Sequence, residues 1–344
     1  MLKKRIILLA GCTIGSIISI ALLTFTSSLL RKSPNHFIRQ IPGHMVEGIK
    51  FIDLKKSGYY FAGTDSIYTY LGSYSINNEI LRVDFHKGDY TKEILNAPPD
   101  LMVSSGSYLS IEEQRPILWD GIKSEVWTGD DNHLLLKYKD QVSSFTKGIL
   151  ISAASYILLS INKKNENELI RQERSGQQKT GRGLLQKQID GLFCTDGQLI
   201  KVPNSNKIFY TYFYRNQFIC ADTNLNLLYR GKTIDTNNYA KIKVAKIKST
   251  NQLTLASPPK IVNKHTDANE KYLFIHSGLK ADNETDKMHV ESAAIDVYNV
   301  KDGKYKLSFY LPNFDGKSIS DFRVYGNNLY ALYDHYLYKY QLKF

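Results

Sequence analysis

Between Lys207 and Ala221 the chain reads KIFYTYFYRNQFICA. Written as an extended strand, Ile208, Tyr210, Tyr212 and Tyr214 fall on one side, and Phe209, Thr211 and Phe213 on the other, because strand side chains alternate. A strand that is aromatic on both sides has to be covered on both sides. That requirement fits a sheet stacked between two neighbouring sheets and disfavours a single-layer barrel with one wet side. After residue 40 no long segment reads at a period of 3.6. Short runs alternate or stay apolar instead: GYYFAG (58–63), SIYTYLGSYS (66–75), GILISAASYILLSI (148–161), KYLFIHSG (271–278) and YLYKYQLKF (336–344). This is an all-β pattern.

A hairpin recurs in it, with an Asp in or near the first strand, a polar turn and a second short strand. It appears as LRVDFHKGDYTKEIL around Asp84, FICADTNLNLLYRGKTI around Asp222 and AIDVYNVKDGKYKLSFYLP around Asp296, the last turn holding Asp302-Gly303. Pro42, Pro98, Pro203, Pro258 and Pro312 punctuate the chain at intervals of 56, 105, 55 and 54 residues. A unit of roughly 54 residues with four strands is a propeller blade, and the chain has room for six. A stacked pair of β-sandwiches is the alternative. The ends favour the ring. The last residues form a strand that needs a partner, and EGIKFIDL (47–54) alternates as such a partner would.

On KYLFIHSG, AIDVYNVKDGKYKLSFYLP and NNLYALYDHYLYKYQLKF, residues 43–344 resemble the six-bladed β-propellers of the TolB-like and NHL-like type found in bacterial extracytoplasmic proteins. The resemblance implies an all-β, six-bladed propeller fold; with the uncharged run near the N-terminus, the expected fold is a six-bladed β-propeller preceded by one N-terminal transmembrane helix. Because that superfamily holds hydrolases, lyases and binding scaffolds, it carries over no site residue. Residues 98–202 depart most from the rhythm, and KNENELIRQERSGQQKTGRG (164–183) reads as a polar, mobile loop.

Ahead of that domain, Ile6 to Leu30 carry no charge and are flanked by Lys3, Lys4, Arg5 and by Arg31, Lys32. As a helix they reach about 37 Å, enough to cross a bilayer. Residues 1–32 are expected to be a signal anchor, 33–42 a linker and 43–344 the propeller. LLAGC matches a lipidation signal at Cys12 in letters, but only Ile6–Leu9 precede it as an apolar core. Lipidation at Cys12 and cleavage after Ser28 remain alternatives to the uncleaved anchor. The basic head sets the N-terminus in the cytoplasm and the domain in the periplasm or outside the cell, a single-pass membrane topology. Gly11, Gly15 and Ser19 form a small-residue stripe on which two anchors could pack.

The chain holds 45 Lys and Arg against 33 Asp and Glu, a net charge of +12. Its cations read as scattered, without the aromatic interleaving of a nucleic-acid groove, so no nucleic-acid partner is expected and a mildly basic surface beside an anionic membrane is. Cys194 and Cys220 are either a disulfide or two buried thiols.

Catalytic motifs do not emerge. GQQKTGRG (176–183) and DGKS (315–318) lack parts of a phosphate loop. ADNETDKMHVES (281–292) spaces Asp282, Glu284 and Asp286 like a calcium loop but has Lys287 where the turn needs Gly, and reads as a solvated acidic loop. His86, His133, His265, His276 and His289 show no metal-ligand spacing. There is no GxSxG elbow. No metal and no cofactor is expected. Trp119 and Trp127, in ILWDGIKSEVWTG, are candidates for a sugar- or peptide-binding patch or for blade packing. The reading that follows is a membrane-tethered binding module for an envelope protein, a peptide or another ligand. The alternative is a metal-assisted hydrolase or lyase at the mouth of the central channel.

Overall fold

The computed structural model describes residues 2–31, 34–75, 78–98, 101–130, 134–249 and 253–344. His133 and residues 32–33 of the anchor and linker lie outside them. Helix α1 (Leu2–Arg31) is followed by β1 (Val46–Asp53). Its segment Lys4–Thr24 is long and apolar enough, by length and composition, to cross a membrane.

Five antiparallel four-stranded sheets follow in chain order. Blade 1 is β2 (Tyr59–Thr64), β3 (Tyr68–Ser73), β4 (Glu79–Asp84) and β5 (Asp89–Ile94). Blade 2 is β6 (Tyr108–Glu112), β7 (Arg115–Asp120), β8 (Glu125–Gly129) and β9 (Leu136–Gln141). Blade 3 is β10 (Phe145–Ser152), β11 (Ser155–Ile161), β12 (Asn167–Glu173) and β13 (Gln178–Thr180). Blade 4 is β14 (Gly197–Lys201), β15 (Lys207–Tyr212), β16 (Gln217–Asp222) and β17 (Leu227–Lys232). A separate hairpin, β18 (Val244–Lys246) and β19 (Leu253–Leu255), precedes blade 5. Blade 5 is β20 (Asn263–Ala268), β21 (Tyr272–Ser277), the short helix α2 (Asp286–Glu291), β22 (Ser292–Asn299) and β23 (Tyr305–Pro312). Blade 6 takes β24 (Asp321–Tyr325), β25 (Asn328–Tyr333) and β26 (Tyr336–Leu342) from the C-terminus and β1 from the other end of the domain.

The chain is a six-bladed β-propeller. β1 closes it, running antiparallel to β26 from Val46 opposite Leu342 to Asp53 opposite Tyr336. The exposed last strand foreseen from the sequence is paired as expected. β15 is buried from Ile208 to Tyr212, the both-sided covering that its aromatics demand. Apolar side chains of neighbouring blades pack between the sheets; one cluster joins Phe274, Ile295, Leu307 and Phe309 of blade 5 to Phe322, Leu329 and Ala331 of blade 6.

The blade rhythm is less regular than the prolines suggest. First strands begin at Tyr59, Tyr108, Phe145, Gly197, Asn263 and Asp321, spacings of 49, 37, 52, 66 and 58 residues. Pro203 sits in a first-to-second-strand turn, whereas Pro98 and Pro258 lie between blades. Asp84 and Asp222 do hold equivalent places. Each ends a third strand and accepts backbone N–H bonds from the following turn, at 2.8 Å from His86 and 2.9 Å from Asn224. Asp296 lies mid-strand and has another role.

Two polar stretches depart from expectation. Residues 164–183 hold the outer hairpin of blade 3, β12 and β13, rather than a mobile loop. An outer hairpin borders solvent and needs few apolar residues; here Leu169 and Ile170, on opposite faces of the sheet, are both buried. Residues 281–292 are not a solvated acidic loop: Glu284 is buried and α2 begins behind the Thr285 cap, whose hydroxyl accepts from Met288 N–H.

Contacts across the seams keep the inner strands parallel. Leu109 N–H donates to the Tyr60 hydroxyl at 2.8 Å, and further along the same pair Gly63 lies against Ile111. Lys147 reaches Asp196 beside Gly197, and Lys201 reaches Ile151 O at 3.5 Å. First-to-second and third-to-fourth turns therefore share one face of the ring. Second-to-third turns and the connections between blades share the other.

Candidate functional site

The chain leaving α1 docks on that second face. Asn35 and His36 N–H donate to Asp282 at 2.7 and 2.9 Å, and Thr236 donates to Asn35 O at 2.8 Å. Phe37 packs with Val262, Leu279 and Ala281. Arg39 then enters the interior. Its Nε donates to Asp296 at 2.8 Å, Nη2 to Leu279 O at 3.2 Å, and Nη1 pairs with Glu284. Ser308 and Tyr310 hydroxyls complete the two carboxylates at 2.6 Å each. Beyond it, Ser308 N–H donates to Gln40 O at 2.8 Å. Residues 34–40 are thus a strap on blade 5, and the face they leave from is the α1 side of the ring, which is the anchor-side face if α1 is the anchor expected from the sequence. Burial pushes the Asp296 carboxyl up, against the pull of Arg39.

The opposite, far face carries the candidate site. Its channel mouth gathers charged residues of the inner strands: Glu112 and Lys201 at the ends of their strands in blades 2 and 4, Asp267 near the end of the blade 5 strand, and Arg323 from the middle of the blade 6 strand. Burial pushes the Glu112 carboxyl up to about 7, against the opposing influence of Lys201, the Leu150 amide, Arg323 and the Ser110 hydroxyl. Arg323 lies 3.4 Å from Asp267, whose carboxyl burial likewise raises, while the Arg323 Nε is buried without a partner among the described residues. Lys201 stands 3.6 Å from exposed Glu113. Glu113 and Gln114 form the two-residue turn of this mouth with φ of 51° and 63°, left-handed values that Asn-Gly adopts readily and these residues do not.

Beside the mouth, a cavity of about 460 Å³ opens between blades 2 and 3, lined by Arg115, Thr128, Asp130, Tyr138 and Arg174 over Ile117 and Leu150. Arg174 is held by Asp140 at 2.8 Å and Thr128 at 3.0 Å and lies over the Tyr138 ring. Leu150 belongs to both features, its side chain lining the cavity and its amide facing Glu112. The inner strands behind this cavity are spanned by Tyr108, whose hydroxyl accepts from Gly148 N–H at 2.9 Å. Trp119 lies against Gly148, where a Cβ would come within 2.4 Å of its ring.

Trp119 is therefore fully buried packing of the blade 2–3 seam, its Nε1–H donating to Ser110 at 2.8 Å. Trp127 is 8% exposed and donates to Glu125 at 3.2 Å. Neither lines the cavity. Cys194 and Cys220 are buried free thiols in separate apolar clusters; burial pushes the Cys220 thiol up to about 11. Cys12 is exposed on α1. His265 lies 3.3 Å from Asp321 and stacks on buried His276 toward the anchor-side end of the channel. Among the described residues no three His, Cys, Asp or Glu gather as metal ligands would. The sequence reading did not single out Glu112, Lys201, Arg323, Arg115 or Arg174. The one available signal is a charge at an inward position between buried neighbours, as Arg323 between Phe322 and Val324.

No family model matches the sequence, and no curated protein matches it. Solved structures do share the fold. A member of the DUF4221 family from Bacteroides vulgatus is 14% identical, with a TM-score of 0.55 over 88% of this chain and 99% of that one. A Bacteroides fragilis protein inferred to be exported is 8% identical, with a TM-score of 0.50 over 87% and 96%. Virginiamycin B lyase from Staphylococcus aureus is 9% identical, with a TM-score of 0.48 over 87% and 99%. At such identities the likeness is one of fold alone.

Proposed function

We propose that the chain is a membrane-tethered propeller whose far face binds a protein or peptide partner in the cell envelope, with α1 as an uncleaved anchor and its N-terminus in the cytoplasm. The carrying observation is the cavity between blades 2 and 3, continuous at Leu150 with the charged channel mouth. Its size suits a few side chains of a partner, and its mixture of Arg, Asp and Tyr over an apolar floor is of the kind that orients a bound segment. A rigid ring with variable turns supports such a surface at little cost to its core. The basic head of α1 supports the orientation, as does the export inferred for the Bacteroides fragilis neighbour.

Capture of envelope proteins on the full chain held in lipid nanodiscs tests the reading. Tyr138→Ala, which removes the half-exposed ring under Arg174, should weaken the captured complex about tenfold or more; recovery of no specific partner, or a complex indifferent to Tyr138, overturns it. A carboxyl poised near neutrality also supports an acid–base role for Glu112, the hydrolase or lyase reading. Turnover of a bound partner that Glu112→Gln abolishes would establish that second reading.

A further inference from the structure

The connections of the anchor-side face carry an unusual surface. Among the described residues outside α1, the large apolar side chains exposed by 70% or more are Tyr74 (73%), Met102 (77%), Ile122 (72%) and Val290 (70%). All four lie in second-to-third-strand turns or between blades, so all four tip the anchor-side face, although they come from different sectors of the ring. Isolated exposed apolar residues need no explanation, but a one-sided set does.

The hairpin β18–β19 adds charge to the same face. Between Asp235 and Asp267 the chain has no Asp or Glu, and it carries Lys241, Lys243, Lys246, Lys248, Lys260 and Lys264. All six are exposed, and none forms an ion pair among the described residues. Tyr239, Ile247, Leu253 and Ile261 stand exposed among them. The acidic residues of α2 do not oppose this charge, since Asp286 pairs with Lys280 and Glu291 with Lys287.

The strap fixes where this surface sits. Asn35 is bonded to Thr236, at the head of the basic segment, and to Asp282, ahead of α2. Four residues of chain from Arg31 to Asn35 span at most about 14 Å. A domain tied that closely to a spanning helix has little freedom to turn this face away.

We infer that the anchor-side face rests on the bilayer that α1 spans, with Tyr74, Met102, Ile122 and Val290 in the interfacial zone and the lysines of the β18–β19 segment on anionic lipid headgroups. Basic residues and exposed apolar tips together are what hold an interfacial surface to anionic lipid. The inference rests on α1 spanning the membrane and is independent of what the far face binds.

The full chain in nanodiscs tests it, in a Cys12→Ser background with a fluorophore on Ile122→Cys, on Val290→Cys, or on Asp302→Cys at the far face. Nanodiscs contain phosphatidylcholine with or without phosphatidylglycerol, plus a lipid with a headgroup quencher. Quenching at 122 and 290 should exceed that at 302 several-fold and be strongest with phosphatidylglycerol. Changing Lys241, Lys243, Lys246 and Lys248 together to Gln should reduce it at 290 at least twofold. Equal quenching on both faces, indifference to the four Lys→Gln changes, or loss of the chain from the discs overturns the inference. The last result would also remove the anchor, whereas the first two would leave the far-face reading intact.

Discussion

Blade 5 and the seam between blades 2 and 3 use one strand plan to opposite ends. In blade 5 the space beside the sheet is filled from outside the repeat: the strap inserts Phe37 and Arg39, and two buried carboxylates are completed by one guanidinium. At the blade 2–3 seam no segment from outside the two blades is inserted among the described residues. Tyr108 and Trp119 bridge it from within, and toward the far face it opens into a cavity. The repeat therefore supplies the frame, and what occupies the gaps between frames decides whether a sector is a clamp or an open cavity.

The largest test of that contrast is Arg39→Ala, which should cost about 3–5 kcal/mol in denaturation of the full chain, because it leaves Glu284 and Asp296 buried without their cation. A small loss would mean that blade 5 does not depend on its strap. At the open sector the expected change has the other sign. With its folded carboxyl near 7 and an unfolded value near the ordinary one, Glu112 binds its proton more tightly in the fold. Its contribution to stability is thus most favourable at low pH, declines as pH rises through that window and is constant above it. Glu112→Gln, neutral throughout, should match the natural chain at pH 4 and exceed it by about 1–3 kcal/mol at pH 8. A variant equally stable at both values would show that the channel mouth is well solvated. Smallest is the turn beside it: Glu113→Asn with Gln114→Gly should stabilise by about 1–2 kcal/mol in thermal unfolding, by relieving two left-handed residues. No gain would mean that the turn is unstrained.

The frame was largely legible because its signals are local. Alternation, turn chemistry and the need of the last strand for a partner can each be read within a dozen residues, and so can the apolar span of α1. The clamp and the site are long-range. Glu284 looks solvated in its own segment, and it is Arg39, 245 positions away, that lets it be buried. Glu112, Lys201, Asp267 and Arg323 are ordinary charged residues until the ring brings four blades to one axis. The lysines of 236–264 are visible in one dimension but carry no message until Asn35 shows which way they face. Blade 3 taught the reverse lesson, since the polarity of 164–183 marked an outer edge rather than an absence of structure.

The strap also makes the molecule directional under load. Tension arriving along α1 meets Asn35–Asp282 and then Arg39, held at the junction with Glu284 and Asp296, before it can reach β1 and the closure with β26. If α1 is held in a membrane as proposed, a pull on it loads the contacts of Asn35 and Arg39 with blade 5 before the β1–β26 closure. The clasp of the ring is shielded by a sacrificial stretch of its own leash.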